Sequence, residues 1–184
     1  MNSSSINNIA RFFLLLAAQI LIFNNIGLFG FLNPLVYVLF IILYPVNDNK
    51  TTLLISSFVM GLTIDYFLNS GGVHALGSIV LAYYRPALFR FCFGLSYEYQ
   101  TVKINDSLTP ERFLFIFLTV LLHHTIVFVM EIFSVFLILE MLYKIFLTTI
   151  LTVIVNIIII YLIKPNKRWE RNCFLQLLLH RHYC

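Results

Sequence analysis

Six ionisable side chains lie in or beside apolar runs of this chain: Asp65, His74, Arg85, His123, His124 and Glu131. Ionisable groups at membrane depth are costly and normally face a helix-bundle interior, so each is a candidate functional position. Three kinds of chemistry are open to them. Metal-assisted hydrolysis wants two His ligands about one turn apart on a helix, as in HExxH. His123 and His124 are adjacent, about 100° apart around a helix, and do not meet that requirement. A proton relay through Asp, Glu and His is the second possibility. The third involves no turnover: the groups lock helices together or capture a partner. The chain contains no GxSxG, no SxxK and no phosphate-cradling glycine loop. Its three cysteines, Cys92, Cys173 and Cys184, form no CxxC and indicate neither zinc nor a disulfide framework. The third reading is preferred, with no cofactor and no metal.

The elements that position these groups follow from composition. Of 184 residues, 60% are hydrophobic and 11% charged, with 19 Phe and 10 Tyr, and mean hydropathy is +0.91. Soluble domains carry about 25% charged residues, so a polytopic membrane protein is indicated. A hydrocarbon core about 30 Å thick needs roughly 20 apolar residues in a helix. The runs predict six spans, at about 12–29, 34–46, 52–68, 73–94, 113–137 and 142–163. They lack the alternation of a β-barrel, so the expected fold is an all-α six-helix bundle over 1–163, followed by a basic tail at 164–184. The opening residues lack a basic region and a small-residue cleavage site, so the first run reads as a retained helix. The second span is short. Asn33 is a candidate N-cap, Pro34 suits a first helical position and Pro45 closes the run. A full crossing is preferred over a re-entrant element.

Orientation comes from the basic residues. With a cytoplasmic N-terminus, Arg11, Lys50, Lys103, Arg112, Lys164, Lys167, Arg168, Arg171 and Arg181 all fall inside, Arg90 snorkels there, and Lys144 alone lies outside. The net charge of +4 is thereby explained without nucleic acid. Segment 95–112 becomes a cytoplasmic loop, with Thr109-Pro110-Glu111 starting the fifth helix. Asn69-Ser70-Gly71-Gly72 is a tight outer turn. Asp65 and His74 then share a depth on adjacent antiparallel helices, where their side chains can pair. His124 and Glu131, seven apart, share a face of the fifth helix. Arg85 precedes Pro86 and needs a carboxylate or the carbonyls that the proline frees. Gln19, Asn24, Asn25 and Asn156 are available for interhelical hydrogen bonds.

Three stretches in order, RFFLLLAAQILIFNNIGLFGFLNPLVYVLFIILYP (11–45), GLTIDYFLNSGGVHALGSIVLAYYRP (61–86) and LLHHTIVFVMEIFSVF (121–136), resemble the MreD family of rod shape-determining proteins in its Bacteroidota form. The resemblance runs over about residues 11–163. It implies a non-enzymatic inner-membrane scaffold of the elongasome that binds MreC and, through it, links MreB to RodA and a class B transpeptidase in peptidoglycan synthesis and cell-shape control. It also implies a bundle like the substrate-binding subunits of energy-coupling-factor transporters. Asp65, His74, Arg85, His123, His124 and Glu131 match positions typical of the family, with structural or partner-binding roles. The tail from Lys164 departs from the shared pattern. A small-molecule (vitamin) binding subunit of a transporter is the alternative.

Overall fold

The computed structural model describes residues 3–27, 33–46, 48–94, 108–132 and 137–163. Within them lie six α-helices: α1 (Ser3–Leu21), α2 (Val38–Leu43), α3 (Lys50–Leu68), α4 (Val73–Phe93), α5 (Pro110–Ile132) and α6 (Ile138–Ile163). A 3-10 turn at Phe23–Asn25 follows α1, and no strand occurs among the described residues. Four segments, Ile6–Asn25, Lys50–Leu68, Pro110–Glu131 and Ile138–Ile163, are long and apolar enough to cross a membrane. The chain has the all-helical, multi-pass build of a membrane protein. Its outward surface agrees, with Tyr66, Leu139 and Leu162 each about four-fifths exposed.

Helix ends follow local chemistry. Asn49 caps α3 by accepting from the Thr51 amide at 2.9 Å. Asn69, at φ 55, closes that helix in the left-handed region, and Gly71 and Gly72 complete the turn at φ 70 and 99. Pro110 opens α5 as a first-turn proline should. Asn25 ends α1 early, its side-chain amide donating to the Ile20 and Leu21 carbonyls at 3.2 and 3.1 Å. The first helix is therefore shifted from the expected 12–29 to Ser3–Leu21. The fifth and sixth start three and four residues before the expected 113 and 142. The expected tail and most of the 95–112 loop lie outside the described residues.

The second span is corrected. It is not a helix over 34–46; α2 has six residues and is buried in protein. Asn33 does not cap it, because its side-chain oxygen accepts from Gly27 N at 2.9 Å. The amides that would have opened a longer helix go elsewhere. Gln19 Oε1 accepts from Val36 and Tyr37 at 2.7 and 3.2 Å, and Thr152 Oγ1 accepts from Leu35 at 3.2 Å. Gln19 Nε2 donates in turn to Pro34 O at 3.2 Å. At the other end Pro45 forces Tyr44 into an extended conformation (ψ 136), which stops α2.

This broken segment still runs back along α1. It begins beside Gln19 and finishes where Arg11 donates to Leu43 O at 2.9 Å and Asn8 donates to Asp48 at 2.9 Å. About 16 Å of α1 separates Asn8 from Gln19. Irregular backbone at membrane depth is tolerated only when buried in protein, and α2 meets that condition. Two ends of the bundle result: a proximal end, where α1 and α3 begin, and a distal end at the α3–α4 turn.

Candidate functional site

Asp65 sits at the distal end of α3 and is 4% exposed. It does not pair with the His74 imidazole as expected. Its Oδ1 accepts from the His74 backbone amide at 2.9 Å and its Oδ2 from the Ala75 amide at 2.8 Å. Ser70 Oγ also donates to Oδ1. The carboxylate is thus the cap of α4, supplied across the hairpin because Gly72 at the cap position has no side chain. A negative charge on a helix N-terminus is also favoured by the helix dipole. The close fit depends on Gly61, whose Cα faces the backbone of His74 and Ala75. A Cβ there would lie 2.5 Å from His74 O and 2.6 Å from Ala75 Cα.

With its amide held, His74 turns its ring to Tyr37, whose hydroxyl lies 3.0 Å from His74 Nδ1 and 2.8 Å from His123 Nε2. One hydroxyl proton serves two rings, so Tyr37 donates to one and accepts from the other. His123 Nδ1 has no partner among the described residues. An unpaired lone pair there costs less than an unpaired N–H, so His123 Nε2–H donates to Tyr37 and Tyr37 donates to His74 Nδ1. The proton of neutral His74 then resides on Nε2.

His124 belongs to a second chain of bonds. Its Nδ1–H donates to Val120 O at 2.7 Å, and its Nε2 meets Thr152 Oγ1 at 3.3 Å. In the neutral ring Nε2 is the acceptor, so the Thr152 hydroxyl donates to it while accepting the Leu35 amide. The chain Val120–His124–Thr152–Leu35 ties α5, α6 and the entry to α2 together.

Arg85 lies apart from this group, nearer the proximal end. It finds carbonyls, as one expectation had it, but not those freed by Pro86. Its Nη2 donates to Ile42 O at 3.5 Å and to Tyr44 O, at the C-terminal end of α2. Its guanidinium also lies 4.7 Å from the Phe89 ring centre. Glu131 is exposed and is not grouped with buried His124. It stands on the rim of a distal cavity of about 220 Å³ whose lining includes Asn24, Asn33, Ser70 and His74. Asn156 makes no interhelical bond among the described residues; both side-chain polar atoms are buried and unpartnered there.

The structure therefore joins His74 and His123 through Tyr37, holds Asp65 on the His74 backbone amide, sets His124 beside them, and separates Arg85 and Glu131. Sequence reasoning missed Tyr37 and Thr152. The signal for Tyr37 was its place just after Pro34, in the one run too short for an ordinary crossing. Among the described residues, no three His, Cys, Asp or Glu side chains gather in a way that could hold a metal ion. No protein-family model, curated protein or solved structure matches this chain.

Proposed function

We propose that this protein is a non-enzymatic scaffold of the bacterial elongasome that acts as MreD-like proteins do. In this reading it lies in the inner membrane with six crossings, counting α4 and the broken α2 segment. Both termini are cytoplasmic, and the arrangement is like that of energy-coupling-factor substrate-binding subunits. MreC is the direct partner, with MreB, RodA and a class B transpeptidase joined through it. The supporting observation is how the buried polar side chains are used: Asp65 caps a neighbouring helix, while Gln19, Arg85 and Thr152 satisfy irregular backbone. At the distal end Asp65, Gln19 and Thr152 hold the elements beside the distal cavity in place, with Glu131 left on the rim as a handle for a partner's juxtamembrane segment. Rigid frames favour docking because little order is lost on association.

Co-purification with MreC tests the proposal. Glu131→Ala leaves the frame intact and is expected to lower recovered complex by about tenfold, the weight of one charge-assisted contact. Asp65→Ala should lose complex together with thermal stability. Undiminished complex with a folded Glu131→Ala protein removes the docking role.

The second reading, a small-molecule binding subunit of a transporter, draws on the polar lining of the same cavity. It requires a retained small molecule in purified protein and an ATPase module among its genomic neighbours. The first requires genes for MreC and wall-synthesis enzymes there.

A further inference from the structure

At the proximal end a cavity of about 480 Å³ opens between the exit of α2, α3 and α4. Arg85, Lys50 and Asp48 line it together with Leu53, Leu54 and Phe89. Its volume lies within the roughly 300–1,000 Å³ of small-molecule sites.

Arg85 is 4% exposed, and among the described residues its charge is met only by partial charges: two carbonyls and an aromatic face. Its Nε has no acceptor among the described residues. The carboxylate that shares the cavity, Asp48, is engaged by Asn8. A desolvated guanidinium with an unused donor is costly by itself and strongly favours an oxyanion. Lys50, exposed at the first turn of α3, adds a second positive charge on the same cavity, and the α3 dipole adds to it. The remaining wall is mostly apolar, apart from Tyr44 and Tyr83.

We propose that this cavity binds a phosphate-bearing ligand, the oxyanion held by Arg85 and Lys50 and an attached apolar portion lying against Leu53, Leu54 and Phe89. A phospholipid headgroup and a soluble phosphate share that chemistry. The site stands at the opposite end from the docking cavity and does not depend on the scaffold role.

The experiment uses the full chain in detergent. Native mass spectrometry reads retained phosphatidylglycerol, with diacylglycerol as the phosphate-free control, and thermal unfolding reads the effect of inorganic phosphate. Arg85 is left intact because it also holds α2. Leu54→Trp fills the cavity, and Lys50→Gln removes the accessible charge; helical content by circular dichroism checks both folds. Wild type should retain phosphatidylglycerol and not diacylglycerol. Retention should fall about tenfold in Lys50→Gln and vanish in Leu54→Trp. Stabilisation by inorganic phosphate that Leu54→Trp abolishes, with no lipid retained, supports the same site with a soluble ligand. Equal retention and equal melting shifts across wild type and both variants overturn the proposal. So does the absence of both signals in wild type.

Discussion

Tyr37 has one hydroxyl proton and two imidazole neighbours, so it can donate to only one of them. Tyr37→Phe keeps the ring but strands nitrogen atoms of His74 and His123, both buried. Leaving a buried donor or acceptor unpaired costs about 1–3 kcal/mol, so a loss of that order is expected in reversible denaturation from mixed micelles. A second substitution, His123→Leu, should cost less in the Tyr37→Phe background than alone, by at least about 0.5 kcal/mol. Strict additivity would mean the hydroxyl and the ring do not share a bond. At this scale the sequence was half legible. That Asp65 and His74 meet follows from helix direction and a short turn. That Asp65 grips backbone amides rather than an imidazole does not, because amides are identical at every position and only the fold decides which ones lack a partner.

Among the elements, the α3–α4 hairpin is held by a carboxylate cap and by the absence of a side chain at Gly61. Helices in lipid gain little from apolar burial against one another, so close backbone approach over small residues matters more. Gly61→Ala places a methyl group against backbone atoms, which cannot rotate away. A cost of about 3 kcal/mol or more is expected, at the top of the overpacking range. Gly77→Ala meets only side chains, Val127 Cγ2 at 3.0 Å and His123 Nε2 at 3.1 Å, and should cost less. Equal costs in a denaturation series would refute the close-approach argument. The hairpin was readable from Asn69 to Gly72 because turn chemistry is local. α2 was not, because what shortens it lies far away: Gln19 and Thr152 take its entry amides, from 17 and 117 residues distant. Periodicity cannot report a competing acceptor on another helix.

For the whole molecule, the broken α2 segment decides topology. Were it a re-entrant element, Ile26 and Asn49 would face the same side of the membrane. Because it runs from beside Gln19 to beside Arg11, it carries the chain from the distal to the proximal end. Single cysteines at Ile26, Asn49, Asn69 and Thr109, in a background with the native cysteines replaced by serine, read this directly. The first three positions are exposed and Thr109 is partly so. Labelling of intact cells and of inverted vesicles with a membrane-impermeant maleimide should group Ile26 with Asn69 on one face, and Asn49 with Thr109 on the other. The physical basis is that Arg11, Gln19, Arg85 and Thr152 satisfy the polar backbone of the segment inside the bundle, so that little of its irregular backbone is left unpaired. Ile26 and Asn49 reacting from the same side would show that this backbone turns back within the bundle, and the assignment of proximal and distal ends would fall with it.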